Sequence, residues 1–533
     1  MRPRHVRPKP LAELAALLAT AITETCGAAA ATGAGPPAPG ELLLTGLTHD
    51  SRRVLPGDLY VALPGSHHHG AEFSGKAAAA GAVAMLTDAA GSRRAAAGGL
   101  PVLTVADPRA RLGEVASWAY GNPSAHLLLV GVTGTSGKTT TTYFLEAALK
   151  MAGHRTGLIG GVQTRIAGET AASTLTTPEA PDLQAMFAVM TERGVSAAAM
   201  EVSSHALALG RVAGTSYDVA VFTNLSQDHL DFHADIDDYF AAKARLFTPE
   251  YSPVGVVNVD DRYGRMLAGS APIPVTTFSA EGNPGADWRA VDVRLGTDGS
   301  SMRVVGPGGV DADGVVALPG PFNVANALGA VVAMIEAGIG LQTAVAGVAA
   351  CPGVPGRLEP IDVGQDFTVL VDYSHKPAAV EAVLRALRPV TQGTLTIVLG
   401  CGGDRDTAKR PMMGAIAALL ADVAIFTSDN PRSEDPLAIL TAMLDGAVDV
   451  PQAQRAHVIV EPDRAAAIAF AVRAAGRGDV VVVAGKGHET GQYVADSVVP
   501  FDDRQVAAEA LAYERARRGP WPTSLAASDS EDV

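Results

Sequence analysis

Gly131-Val132-Thr133-Gly134-Thr135-Ser136-Gly137-Lys138-Thr139-Thr140 stands between the apolar run Leu127-Leu128-Leu129-Val130 and the segment Tyr143–Lys150. The run reads as a buried strand, and the apolar residues of the following segment have helical spacing. A glycine-rich turn between strand and helix aims backbone N–H groups and the positive end of a helix at one point, which makes a phosphate cradle. Lys138 has the reach for the outer phosphates, and the hydroxyl of Thr139 can ligate Mg²⁺. The common P-loop needs glycine at 132, where this chain has Val132. Its glycines stand at 131, 134 and 137, giving G-x-x-G-x-x-G-K-T.

Outward from this turn, strand-like and helix-like stretches alternate. Residues 157–159, 197–202, 219–223 and 254–258 read as strands of a mainly parallel sheet, with ligands expected at their carboxyl ends. A β-rich patch at 287–318 follows, then a helical stretch from Asn323. Between residues 325 and 350 the apolar character is interrupted by Asn326, Glu336 and Gln342, which predicts two packed helices and not a membrane span. Composition shifts at Pro352–Gly356, and a second βα series begins at 368–372, 395–399, 423–427, 457–460 and 480–484. It has Rossmann-like order but no G-x-G-x-x-G. Ahead of the turn, residues 11–25 predict a helix, residues 27–40 a flexible low-complexity loop, and residues 42–105 a small α/β domain. The predicted fold is therefore α/β in three domains: 1–123, 124–352 and 353–522. A disordered acidic tail is expected at 523–533.

A chain of 533 residues, 47% of them hydrophobic, suits a multidomain soluble protein. A formal charge of −15 argues against a nucleic-acid or anionic-membrane surface. Cys26, Cys351 and Cys401 lie far apart and match no metal spacing, which predicts a reducing, cytoplasmic setting. The basic start Met1–Pro10 lacks the apolar stretch of a secretory signal and reads as a frayed terminus. Only eight lysines accompany 33 arginines. Five of the eight (Lys138, Lys243, Lys376, Lys409 and Lys486) fall in the motifs below, a hint that those positions need a primary amine.

Glu201-Val202-Ser203-Ser204-His205 follows a strand of the same domain, where a carboxylate can serve as a further Mg²⁺ ligand. A simple helix cap is the competing reading. Asn224–His233 also follows a strand, and its polar cluster suits a metal or phosphate as well as it suits a capped helix start. Lys243, within Tyr239–Phe247, reads from spacing alone as a solvated lysine between apolar neighbours. Arg357, Asp372–Pro377, Gly400–Asp406, Ser428–Arg432 and Gly485–Glu489 belong to the last βα series. All but Arg357 sit at strand ends that a parallel sheet gathers around one crevice. Arg405 and Arg432 converging there predict a carboxylate-bearing ligand. The triple His67-His68-His69 reads as a solvent-exposed loop and not as a metal site.

Taken in order, these motifs resemble those of the Mur-type ATP-dependent amide ligases. The likeness runs from about Thr48 to Asp503. It rests on His49–Arg52, Gly134–Thr140, Thr176–Pro178, Glu201–His205, Asn224–His229, Tyr239–Phe247, Gly320–Asn326, Gly356–Glu359, Asp372–Pro377, Gly402–Pro411, Asp429–Arg432 and Gly485–Glu489. Within the family the chain is most similar to members that join meso-diaminopimelate to UDP-N-acetylmuramoyl-L-alanyl-D-glutamate, using ATP and Mg²⁺. The resemblance implies an ATP and phosphate site at Gly134, Thr135, Ser136, Gly137, Lys138, Thr139 and Thr140, with Asn323, Asn326, Arg357 and Asp372. It implies metal ligation by Thr139, Glu201, His229 and a CO₂-derived carbamate on Lys243, so that Lys138, Lys243 and His229 form the catalytic set. It places the UDP-substrate on Ser51, Ser66, His67, His68, Thr176, Thr177, Ser203 and Arg211. It places diaminopimelate on Arg405, Asp429, Asn430, Pro431, Arg432, Gly485 and Glu489. It further implies a cytoplasmic monomer acting on small molecules, with no nucleic-acid partner and no membrane insertion. Leu175, Leu209 and His69 depart from the family's usual residues, which touches substrate affinity but not phosphoryl transfer. Folylpolyglutamate synthases and the ligases that add D-Ala-D-Ala share the architecture and stand as alternatives. A P-loop GTPase or kinase and a non-catalytic nucleotide-binding scaffold are the others; the chain shows no guanine motif.

Overall fold

The computed structural model describes residues 1–23, 38–95, 99–171 and 175–518. Cys26, most of the expected low-complexity loop and the expected acidic tail lie outside the described residues. The rest divides into two compact units. One comprises residues 1–289, 305–312 and 326–350, and the other 290–304, 313–325 and 351–533.

In the first unit, a five-stranded sheet is ordered Ile22–Thr23, Val102–Thr104, Ala84–Thr87, Asp58–Val61, Gly46–Thr48. Its last four strands are parallel. The expected helix over 11–25 stops early: it spans Leu11–Leu17, and Ala19 takes φ +50°. The β-branched residues Thr20, Ile22 and Thr23 lose rotamer freedom in a helix and suit a strand. Ile22–Thr23 accordingly pairs with Val102–Leu103, and Thr20 Oγ1 donates to Thr104 O at 2.6 Å. The basic start is also not frayed. Arg2 pairs with the buried Asp58, the backbone N–H groups of Arg4 and His5 donate to Glu192 at 2.9 and 3.0 Å, and Lys9–Pro10 pairs with Leu43–Leu44. These partners are remote in sequence, so local composition could not show them.

The same unit holds the parallel strands Thr156–Ile159, Ala197–Glu201, Leu128–Thr133, Val219–Phe222, Gly255–Asn258 and Val275–Ser279, adjacent in that order. Four match the predicted strands to within a residue, Leu128–Thr133 runs three residues beyond the predicted run, and Val275–Ser279 was not predicted. The glycine-rich turn leads from the central strand Leu128–Thr133 into the helix Lys138–Met151. Its flanking strands 197–201 and 219–222 are the ones whose ends carry Glu201 and Asn224. The two expected helices form as Pro321–Glu336 and Leu341–Ala349. Among the described residues no helix is long and apolar enough to cross a membrane.

In the second unit, a six-stranded sheet runs Glu359–Pro360, Thr368–Asp372, Val480–Ala484, Leu395–Leu399, Val423–Phe426, His457–Val460. All but the first strand are parallel. The last strand in sequence, Val480–Ala484, inserts between the first two parallel ones. That is a switch point, and ligand crevices open outside the carboxyl ends of such strands.

Candidate active site

Gly131 proves to belong to the strand and not to the turn: a Cβ there would stand 2.7 Å from the Tyr217 ring. The turn proper runs from Gly134 to Gly137. Gly134 has φ +148°, with Thr223 Oγ1 only 1.9 Å from a Cβ position. Gly137, at φ +88°, has Asn326 Oδ1 at 2.2 Å from its own. Both positions exclude any larger residue by conformation and by space. Thr223 Oγ1 donates to Ser136 O at 2.6 Å, Asn224 Nδ2 to the same carbonyl at 3.1 Å, and Ser136 N to Asn224 Oδ1 at 3.0 Å. The turn is thereby fixed before any ligand arrives, with its N–H groups at the start of a helix of 14 residues.

Two lysines meet on this turn. Lys138 Nζ donates to Gly134 O and Thr135 O, each at 2.9 Å, and Lys243 Nζ donates to Gly134 O at 2.7 Å. Lys243 is only 1% exposed and lies 4.6 Å from the Tyr239 ring centre. The solvated lysine expected from local spacing is thus wrong. Helix Ile236–Ala244 turns this residue inward, because its capping Asp235 and first-turn Asp237 and Asp238 set which face meets solvent. The Tyr239 hydroxyl stands 3.1 Å from Thr135 Oγ1, so this helix is tied to the turn twice.

Glu201 is buried, and its Oε1 accepts from Thr139 Oγ1 and from Gly161 N, each at 3.0 Å. A hydroxyl and a carboxylate side by side are the hard oxygen donors that Mg²⁺ prefers, so these residues fit that ion. Among the described residues no group of three or more His, Cys, Asp and Glu is placed to hold a metal. His229, at φ +54°, lies edge-on to His205 with ring centres 4.8 Å apart and 6.0 Å from Tyr239. It therefore borders the lysine side of the turn. Gly160 lets the backbone approach Glu201, since a Cβ there would stand 2.4 Å from Glu201 Oε1; the sequence signal for it is a glycine pair directly after a strand.

Next to Glu201, Thr177 Oγ1 donates to Glu201 O at 2.8 Å and accepts from Ser203 N at 3.1 Å. Arg211 pairs with Glu179 at 2.8 Å, and Arg109 meets the same carboxylate at 2.7 Å. Thr177, Ser203 and Arg211 thus form one cluster. Ser51 hydrogen-bonds Tyr60, whose hydroxyl donates to Gly70 O at 2.8 Å and is pushed up to about 12 by burial. Ser51 and the loop carrying Ser66, His67 and His68 are joined through this tyrosine. Of the histidine triple, 67 and 68 are exposed as expected, but His69 is buried. Its Nδ1 accepts from Ala71 N and its Nε2 meets Asp88 Oδ1 at 3.0 Å, so it caps the turn that follows.

In the second unit three of the predicted strand ends come together. Gly400, Asp429 and Gly485 converge: a Cβ on Gly485 would stand 2.6 Å from Asp429 Oδ2, and one on Gly400 2.9 Å from Asp429 N. Asn430 Nδ2 donates to Glu489 Oε2 at 3.0 Å. Arg432 Nη1 donates to Gly403 O at 2.7 Å, and both it and the stem of the exposed Arg405 come within 4 Å of a Cβ position on Gly402. Asp372 accepts from Leu358 N and Ser374 N, each at 2.8 Å, and the Arg357 guanidinium lies 4.7 Å from the Tyr373 ring centre. Burial lowers His375 and His488 to about 4 each, so both rings are neutral near pH 7. Asn323 Nδ2 donates to Pro319 O at 2.8 Å.

The chain matches the Mur ligase family catalytic domain over residues 43–120, the Mur ligase middle domain over 132–334 and the Mur ligase glutamate ligase domain over 356–487. The chain belongs to the Mur ligase family. It is 58% identical over 510 residues to the UDP-N-acetylmuramoyl-L-alanyl-D-glutamate–2,6-diaminopimelate ligase of Streptomyces avermitilis, covering 96% of this chain and 98% of that one. Its counterpart in Corynebacterium glutamicum is 48% identical, covering 91% and 95%. A solved structure of a ligase of that name superposes with a TM-score of 0.67 at 31% identity, covering 90% of this chain and 98% of the other. A folylpolyglutamate synthase structure from Mycobacterium tuberculosis shares the fold at 20% identity and a TM-score of 0.56.

Proposed function

We propose that the chain is an ATP-dependent ligase that joins meso-diaminopimelate to UDP-N-acetylmuramoyl-L-alanyl-D-glutamate for peptidoglycan synthesis. The near full-length similarity to ligases of that name supports this reading. The observation that carries the chemistry is the turn at Gly134–Gly137. There a helix N-terminus and Lys138 offer positive charge, beside the Thr139–Glu201 oxygen pair and the buried Lys243. The D-glutamate carboxylate takes the γ-phosphoryl of ATP, because an amine cannot displace oxide from a free carboxylate. The diaminopimelate amine then attacks the acyl phosphate and phosphate leaves. Lys138 stabilises charge on the transferring phosphoryl. Thr139, Glu201 and His229 would hold Mg²⁺, which when bound neutralises phosphate charge. Asn326, packed on Gly137, joins Gly134–Thr140 in the nucleotide site, with Asn323, Arg357 and Asp372 as its further contacts.

In the same reading Lys243 is carbamylated: its neutral amine adds CO₂, one N–H proton leaves, and the anionic product offers oxygens in place of a donor. Ser51, Ser66, His67, His68, Thr176, Thr177, Ser203 and Arg211 receive the UDP-substrate. Arg405, Asp429–Arg432, Gly485 and Glu489 receive diaminopimelate, whose distal carboxylate suits Arg432. Residues 1–123, 124–352 and 353–522 are assigned as the UDP-substrate, ATP and amino-acid domains. The enzyme acts as a cytoplasmic monomer, a setting in keeping with the buried thiols of Cys351 and Cys401. Phosphate release by purified protein with ATP and the UDP-dipeptide tests the reading. Release is expected to depend on meso-diaminopimelate, and Lys138→Ala is expected to lower kcat by about 10³-fold with an unchanged circular dichroism spectrum. Release that is indifferent to diaminopimelate overturns the assignment.

A further inference from the structure

Behind the loop Asp429–Arg432, Lys486 and the hairpin that follows it make contacts to which the reaction above gives no role. Lys486 is completely buried, and its ammonium donates to Asn430 Oδ1 at 3.0 Å, Glu489 Oε2 at 3.2 Å and Gly491 O at 2.7 Å. Asn430 Oδ1 also accepts from Tyr493 N at 3.0 Å while its Nδ2 donates to Glu489 Oε2, so the amide has one possible orientation. Gly491 opens the hairpin Gly491–Val494/Ser497–Pro500, which among the described residues joins no larger sheet but bridges Arg432 through Val494. That hairpin grips the loop along its length. Gln492 Nε2 donates to Asp429 O at 2.7 Å, Arg432 N to Tyr493 O at 2.9 Å, and Ala495 N to Arg432 O at 2.7 Å. Arg432 sits at φ +52°, a conformation that L-residues with a long side chain rarely adopt. Its backbone N–H and C=O are both held by the hairpin, and its guanidinium lies 5.9 Å from the Tyr493 ring centre.

A buried ammonium needs its charge and all its donors satisfied, and Lys486 meets that need only where Asn430, Glu489 and the hairpin come together. We propose that Lys486 and Gln492 are positioning residues for the incoming amino acid. Lys486 sets the carboxylate of Glu489, and the hairpin it anchors sets the backbone of Arg432. The distance between an anionic and a cationic partner is thereby fixed, and the enzyme measures the separation of ammonium and distal carboxylate on its substrate. This rests on the amino-acid site assigned above.

Steady-state kinetics with each substrate varied in turn tests it, on Lys486→Met and Gln492→Ala. The KM for meso-diaminopimelate is expected to rise about tenfold in Lys486→Met and about threefold in Gln492→Ala, with KM for ATP and for the UDP-dipeptide within about twofold of the parent. The preference for meso-diaminopimelate over L-lysine in kcat/KM is expected to shrink in both. An unchanged diaminopimelate KM in both variants, or an equal rise in all three KM values, overturns the positioning role. Gln492→Ala decides alone if Lys486→Met does not fold. A parent enzyme that shows no diaminopimelate-dependent phosphate release fails the underlying assignment instead, before any variant is compared.

Discussion

Lys243 and Lys138 donate to the same carbonyl, Gly134 O, at the turn where a polyphosphate is expected to lie. Only one of them was legible locally. Lys138 stands in a glycine-rich turn whose spacing states its use, whereas Lys243 sits among apolar neighbours on a helix and its spacing favours solvent. Its burial is decided by contacts with Tyr239 and with Gly134 O, 109 residues away. If Lys243 works as a carbamate, Lys243→Ala should lower kcat by about 10²-fold or more. Acetate or formate should restore part of that loss by supplying the missing oxygens. Activity within about tenfold of the parent, or no response to added carboxylate, would speak against the carbamate.

At the scale of elements, strands surrounded by apolar residues were found from the sequence almost to the residue, because a strand buried on both faces is a continuous apolar run. Elements held by a distant partner were not. The strand Ile22–Thr23 and the ordered start at Arg2–Lys9 exist because of Val102–Thr104, Asp58 and Glu192. Helix Asp503–Arg518 shows the same dependence. The buried Arg464 makes a two-pronged pair with Asp503, both bonds 2.7 Å, and also donates to Ala484 O at 2.9 Å, next to Gly485. Arg464→Leu should cost about 3–5 kcal/mol, since it strands a buried carboxylate. Arg464→Leu combined with Asp503→Leu should cost less than the single change. Urea unfolding followed by circular dichroism measures both, and a double variant less stable than the single one contradicts the account.

At the scale of the whole molecule, pH sets a test of how the second unit is buried. His375 has its proton affinity lowered to about 4 by burial, against 6.5 for a free ring. Between those values the unfolded chain binds a proton that the folded one does not, so stability rises with pH there and is lost as pH falls from 6.5 towards 4. The contribution is about 1.4 kcal/mol per pH unit at its steepest. His375→Asn should therefore lose less stability than the parent between about pH 7 and about pH 5 in urea unfolding. Equal losses would show that the ring is not the titrating group.

The alternation of apolar strand and helix, the glycine turn before Lys138 and the polar residues after each strand were all readable from the sequence. Each reflects a constraint that acts within a few residues: burial of a short apolar run, a positive φ, or a cap. The meeting of Asp429, Gly485 and Gly400 was expected from parallel order alone, but its closeness follows from strand Val480–Ala484 inserting between two earlier strands. Tertiary structure alone decided the burial of Lys243 and His69, the grip of the Gly491–Pro500 hairpin on Arg432 and the Arg464–Asp503 pair. The partners lie from 19 to 109 residues away, beyond the reach of local pattern, and a polar side chain is buried only where its partner offsets the lost hydration.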